Sequence, residues 1–377
     1  MSFLKTYIHA YYMIGNYNLA KYIDRDLYKK LGGHHTRGSN KHADIVCYAS
    51  YCYRKKLCNN IYYGAGKTKI PFQHKIQYDM LSLDSFLKFV KYNFFAQYYF
   101  LYLWGHGYVW QYTLPFYNPY TKQTKNIELD ELSYTLKKNK IDVLIFETCA
   151  GMNLETIYEL RNRVSYICGV CDYMSYEGIE HAEIIKSNDE PKELCKKMVD
   201  TMKSEKCPSF MDPKKTIYIK KKINIISKLL LGDENIIEKI KTKAKHNLID
   251  KNVIDLGYLL SFIIKNTKSL DLKYECNLLY TYLQKNIYCI PKGRYKKNKC
   301  LGISIFFPRE KKEYELSIKK KYSNLSFNKN NNWINVIESI HQKNPQNDTE
   351  SEKDEKDEKD EKDEKDEKKE KNNILYL

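Results

Sequence analysis

Long apolar runs are missing from this chain of 377 residues. None approaches the 18 or so residues that a membrane-spanning helix requires, so no span is expected. The first twenty residues, from Met1 to Ala20, lack the uninterrupted apolar core of a secretory signal. Cysteine spacing is irregular as well. Eleven cysteines are an odd number without a period, which argues against a disulfide framework and for a reduced interior. Together these absences point to an intracellular, cytoplasmic setting. No basic stretch is interleaved with stacking aromatics, so nucleic acid is not the expected partner. A phosphate loop fails at one position: Gly64-Ala65-Gly66-Lys67-Thr68 needs a further glycine at 61, where Ile61 stands. Cys168-Gly169-Val170-Cys171 has no second pair at zinc-ribbon spacing and reads as two strand cysteines on opposite faces. His34-His35 reads as exposed loop rather than a metal site.

What is present begins with charge. The total is +17. Residues 352–371, a Glu-Lys-Asp repeat, contribute −4, which leaves +21 on the remainder. Lysines are scattered throughout that remainder, so they mark a solvated basic surface. The tail from Asn344 has no apolar face and cannot bury enough surface to order itself. Hydrophobic residues make up 42% of the chain, enough for a substantial core.

The first half alternates strand and helix patterns. Lys5 to Ile14, Ala43 to Tyr51, Gln97 to Trp104, Ile141 to Thr148 and Val164 to Cys171 are rich in β-branched and aromatic residues and read as strands. Asn18 to Gly33, Leu83 to Phe95, Asn126 to Lys140 and Asn153 to Arg163 have apolar residues three or four apart and read as helices. Such alternation predicts βαβ units and a mostly parallel sheet. Residues 191–290 turn mainly helical, with helices expected at Pro191 to Met202, Ile217 to Leu231 and Val253 to Asn266. Cys300 to Pro308 returns as a last strand.

Two strand ends carry chemistry. Ile141 to Thr148 runs into Cys149, and Gln97 to Trp104 runs into Gly105-His106-Gly107. Ligands bind at the carboxyl edge of an open α/β sheet. A nucleophilic thiol needs a base beside it. Cys149 and His106 fit those roles, and the N–H groups of Gly107 and Cys149 suit an oxyanion. Glu147, two residues before the thiol, shares its face of the strand. Taken singly, a buried cysteine is a small hydrophobe and a His-Gly is a turn. The pair is more informative, because both follow apolar strands and both are flanked by small residues.

With His 43 positions before Cys, the order matches the caspases. Over roughly residues 5 to 340 the sequence resembles the clostripain family of cysteine peptidases, relatives of caspases, gingipains and separase. Tyr11 to Leu27 is similar to the opening strand and its acidic-asparagine turn, with Gly15-Asn16-Tyr17-Asn18 in place of the acidic form. Tyr102 to Trp110 resembles the His-Gly block and Ile141 to Leu160 the nucleophile block, in which Met152 and Glu155 stand near the expected places. Tyr166 to Ile179, Lys299 to Pro308 and Asn331 to Ile340 follow in the right order.

The resemblance implies a caspase-like three-layer α/β/α sandwich with a mostly parallel central sheet, a helical insertion before the last strand and a disordered C-terminal tail. The peptidase domain is expected over 1–343 and the tail over 344–377. It further implies a Cys149/His106 dyad and cleavage after Arg or Lys, with Glu147 as the pocket acid. Asp172 is the candidate second acidic wall and Glu177 a weaker one. Self-cleavage at a basic residue is a further expectation, in the loop after Asp172 or between Lys203 and Lys222. No cofactor is expected. Some relatives need calcium, but the acidic residues here show no calcium-loop spacing. An inactive caspase-like scaffold that binds acidic partners or nucleic acid is the alternative. The oligomeric state is left open.

Overall fold

Alternation along Lys5–Gly15 sets up the layers. Tyr7, Tyr11 and Met13 face one core, while Ile8, Ala10, Tyr12 and Ile14 face another. A strand buried on both sides belongs in the middle of a sheet. The structure, a computed structural model, describes residues 5–27, 40–53, 56–63, 68–70, 82–118, 120–202, 205–244, 248, 252–308, 314 and 316–341. Contacts separate Met1–Ile340 from His341–Leu377. Outside the described residues lie the expected helix end at Gly32-Gly33, the pair His34-His35, the stretch 64–67, Lys203 and the charged tail.

In chain order the strands are β1 (Lys5–Gly15), β2 (Ala43–Tyr53), β3 (Lys56–Tyr63), β4 (Thr68–Ile70), β5 (Ala96–Trp104), β6 (Gly107–Tyr108), β7 (Tyr112–Asn118), β8 (Gln123–Ile127), β9 (Val143–Glu147), β10 (Tyr166–Val170), β11 (Pro208–Met211), β12 (Val253–Asp255), β13 (Ile287–Cys289) and β14 (Ser304–Phe306). Nine of them form the central sheet, in the order β13-β11-β10-β9-β5-β1-β2-β3-β4. The five strands from β2 to β10 in that order are parallel. Both edges are antiparallel.

Helices cover both faces. They are α1 (Ala20–Arg25), α2 (Leu83–Asn93), α3 (Leu129–Asn139), α4 (Leu154–Glu159), α5 (His181–Lys186), α6 (Pro191–Thr201), α7 (Thr216–Leu231), α8 (Glu234–Lys243), α9 (Leu256–Asn266), α10 (Leu270–Asn286), α11 (Arg294–Lys297), α12 (Leu316–Asn324) and α13 (Trp333–His341). Ile23 of α1, Ile184 of α5 and Leu194 and Met198 of α6 close one core. Phe86, Leu132, Ile157, Ile223, Leu260, Leu279 and Trp333 close the other. The result is a three-layer α/β/α sandwich. Helix starts are fixed by side-chain caps, among them Ser82 on the N–H of Ser85 and Asn153 on that of Thr156.

The last expected strand is present, and two other elements differ from the sequence expectation. The last strand does not join the central sheet: β14 pairs with β12 in a two-stranded ladder, because β11 and β13 already extend the sheet at that edge. The helix expected from Val253 starts at Leu256. Val253–Asp255 is strand, and Asp255 caps the helix by accepting the Tyr258 N–H. Between β5 and α3, the chain forms the three-stranded β6-β7-β8 ladder, which no strong alternation announced.

Candidate active site

The register of two neighbouring parallel strands builds the site. Trp104 of β5 stands opposite Glu147 of β9. His106 and Cys149 each lie two residues beyond that pair, so the chain brings both out at the same carboxyl edge. Contact between the two tips is close. A Cβ on Gly107 would come within 2.8 Å of Thr148 Cβ and 3.1 Å of the Cys149 carbonyl oxygen, so glycine is required there. His106 and Cys149, both half-buried, line one cavity of about 210 Å³ together with Leu19, Trp104, Glu147 and the segment Tyr173–Tyr176. A larger cavity of about 790 Å³ lies between α2 and α3 and contains none of these groups.

The thiol sits on a locked turn. Ala150 follows it with φ +52°, in the left-handed region that side-chain residues resist. The Ala150 N–H donates to the Asp172 carbonyl (2.8 Å) and the Met152 N–H to the Val170 carbonyl (2.9 Å), which ties the turn to the end of β10. Cys149 Sγ accepts the Met174 N–H at 3.4 Å.

On His106, Nε2 is 3.1 Å from Asn18 Oδ1. Asn18 Nδ2 donates to the Tyr176 hydroxyl at 2.9 Å, and Asn18 Oδ1 faces His106. In the tautomer with the proton on Nε2, that N–H donates to Oδ1 and Nδ1 is the basic nitrogen. Burial lowers the His106 pKa from its ordinary value.

Glu147 is buried and lines the cavity. Its Oε1 accepts from the Ile179 N–H (3.2 Å) and from His181 Nε2 (3.0 Å). Behind His181, its Nδ1 meets the Tyr11 hydroxyl at 3.0 Å. The pocket acid expected from sequence is therefore paired inside the fold. Asp172 is placed differently from its expected role. Its buried carboxylate accepts from the Tyr295 hydroxyl, and it does not line the cavity. What it gives the site is its backbone carbonyl. Glu177 is exposed and does not line the cavity either. Gly107 enters β6 opposite Thr113.

Three residues absent from the sequence expectation stand at or behind the cavity. Asn18 meets His106, and His181 holds Glu147. Glu205, also buried, accepts the hydroxyl (2.6 Å) and N–H (3.0 Å) of Ser175, a cavity-lining residue. Burial first, and Glu147 nearby, hold the Glu205 pKa above the usual carboxylate range despite those bonds. Asn18 lies in the turn that the resemblance covers, but no local motif marked these three as site residues, because each contacts a residue 30 or more positions away.

The model for the Clostripain family matches residues 11–340. Among solved structures, an inactive zymogen C11 protease from Parabacteroides distasonis is 14% identical with a TM-score of 0.59, over 88% of this chain and 99% of that one. A secreted C11 cysteine protease from Bacteroides thetaiotaomicron, in complex with an irreversible peptide inhibitor, is 12% identical with a TM-score of 0.63, over 87% and 99%. At such identities the likeness is one of fold. No curated protein matches the chain.

Proposed function

The chain belongs to the clostripain family of cysteine peptidases, and from that premise we propose that it hydrolyses peptide bonds after Arg or Lys, with Cys149 as nucleophile and His106 as base. One observation carries the reading: a thiol, an imidazole and a carboxylate open onto a single cavity at the carboxyl edge of the parallel sheet. The thiolate of Cys149 attacks the carbonyl carbon and the N–H groups of Gly107 and Cys149 hold the oxyanion. As the C–N bond breaks, imidazolium His106 gives its proton to the leaving amine. His106 then takes a proton from water, which displaces the thioester sulfur and releases the acid.

A cationic side chain entering between Trp104 and Tyr176 meets Glu147 at depth. Aromatic walls favour a cation over their faces, and a guanidinium suits a carboxylate in bidentate fashion. The zymogen state named for the Parabacteroides protein supports self-processing here. The first Arg or Lys after Asp172 is Lys186, exposed at the end of α5. Intact-mass comparison of the wild type with Cys149→Ala tests this, and an uncut wild type under turnover conditions rules it out.

Fluorogenic peptides with Arg, Lys, Asn or Asp before the cleaved bond test the specificity. Turnover is expected with Arg and Lys alone, and none with Cys149→Ala. Glu147→Gln is expected to lower kcat/KM for the basic peptides by about 100-fold, as for loss of one partner in a buried charge pair. Cleavage confined to Asp overturns the pocket assignment. A folded chain that turns over no peptide is the inactive scaffold.

A further inference from the structure

The carboxyl edge of the sheet carries a second cluster of reactive side chains. Cys171 follows β10, Cys207 precedes β11 and Cys289 ends β13. Because β11 runs antiparallel to both neighbours, these three positions emerge at one edge. Cys207 Sγ is 3.5 Å from Cys289 Sγ, and Cys171 Sγ is 3.9 Å from Asp255 Oδ2. Donor atoms of Cys171, Cys207 and Asp255 all lie within 4.8 Å of one another, and all three residues are buried.

A buried cysteine is ordinarily a small hydrophobe. That role does not call for a carboxylate at ligand distance from two thiols. A tetrahedral zinc ion does: Zn–S bonds of about 2.3 Å set the sulfurs about 3.8 Å apart. The carboxylate is also pre-oriented. Asp255 Oδ1 accepts the N–H groups of Tyr258 (3.0 Å) and Leu301 (3.1 Å), and Oδ2 that of Gly302 (3.0 Å). Such outer bonds aim a ligand at its metal. Gly302 is pressed onto the cluster, since a Cβ there would lie 2.7 Å from Cys289 Sγ. Calcium prefers six to eight oxygens and does not suit this set, whereas soft thiolates select zinc.

We propose that Cys171, Cys207 and Asp255, with Cys289 as fourth donor, form a structural zinc site. It tethers the residue that precedes Asp172 and the cavity-lining segment Tyr173–Tyr176. The proposal stands independently of the peptidase reading. It also explains why the Cys168/Cys171 pair is not itself a metal motif. Cys168 lies in the core on the opposite face from Cys171. The partners of Cys171 come 36, 84 and 118 residues later, a spacing with no zinc signature.

The test uses the full chain with Cys149→Ala, which removes the reactive thiol. Purified with zinc in the medium, it is expected to hold one zinc per chain by elemental mass spectrometry. The apoprotein should take up one cobalt(II), with thiolate charge-transfer absorption in the near ultraviolet and tetrahedral visible bands, both abolished by zinc. Cys207→Ser is expected to lose stoichiometric metal. Should that variant fail to fold, the half-buried Cys289→Ser is expected to weaken cobalt binding at least tenfold. Cys168→Ser should keep the metal. Substoichiometric zinc with no thiolate–cobalt band overturns the proposal. So does a Cys207–Cys289 disulfide in chain purified under reducing conditions, or equal metal loss in Cys168→Ser.

Discussion

Asn18 reaches His106 from the turn after β1, across 88 positions of sequence. With the proton on Nε2, the amide oxygen holds that N–H and leaves Nδ1 as the basic nitrogen. Loss of this contact frees the ring to turn and to change tautomer. Asn18→Ala is therefore expected to lower kcat by about 10- to 100-fold, part of what a positioned base supplies, with KM little changed. The pH profile gives a second readout. Burial lowers the His106 pKa, so the neutral ring persists to lower pH. The acid limb of kcat/KM should fall below the ordinary imidazole value of about 6.5. In Asn18→Ala, with more water at the ring, it should move up. A wild-type limb at or above 6.5 overturns the effect of burial on His106, and an unchanged kcat in Asn18→Ala removes Asn18 from the machinery. Cys149 and His106 were legible in the sequence because each interrupts an apolar strand with small neighbours. Asn18, His181 and Glu205 were not, because each reaches a cavity-lining residue only through strand order and loop packing, which no local pattern encodes.

Helix α4 shows the same division at the scale of elements. Its apolar spacing made it readable, as did the alternation of β1 and the apolar run of β9. Its tie to the last strand was not readable. Glu155 of α4 accepts the Phe306 N–H at 3.0 Å and the Tyr322 hydroxyl at 2.7 Å, and so joins α4 to β14 and α12. Short β14 was readable as a strand, and Ile303, Ile305, Phe306 and Phe307, in it and beside it, pack into the core that the helices close. Burial raises the Glu155 pKa from 4.5 to about 7. Below pH 4.5 both folded and unfolded chains hold the proton and no penalty arises. Between 4.5 and 7 the unfolded chain releases it while the folded chain keeps it, so stability falls as pH rises; above 7 the penalty is constant. The loss is on the order of 3 kcal/mol. Glu155→Gln keeps the shape without the ionisation. In urea denaturation, the wild type should lose stability relative to Glu155→Gln as pH rises from 4.5 to 7. A difference independent of pH would show that Glu155 ionises freely in the fold.

At the scale of the whole molecule, charge sets a constraint that neither fold nor site reveals. Residues 352–371 carry −4 and the remaining chain +21, within a total of +17. Basic groups also stand near the cavity entrance. Arg25 donates to the Tyr176 carbonyl and stacks over Tyr22, which lies 4.5 Å from the Tyr176 ring; Lys21 is 5.0 Å from the Tyr22 ring. Under the proposed specificity, a substrate with one basic residue for the pocket approaches through a positive field. Acidic flanks relieve that opposition and basic flanks worsen it. Two peptides with the same cleaved residue, one flanked by Glu and one by Lys, separate the terms. At low salt the Glu-flanked peptide should have the higher kcat/KM by about tenfold or more. The ratio should fall toward unity as salt approaches 1 M, where the screening length is about 3 Å. The ratio isolates the field of the body, because the pocket contact is common to both peptides. A ratio that ignores salt would place the preference in specific contacts at the rim. A preference for Lys flanks would mean that local acidic groups around Glu147 and Glu205 outweigh the net charge.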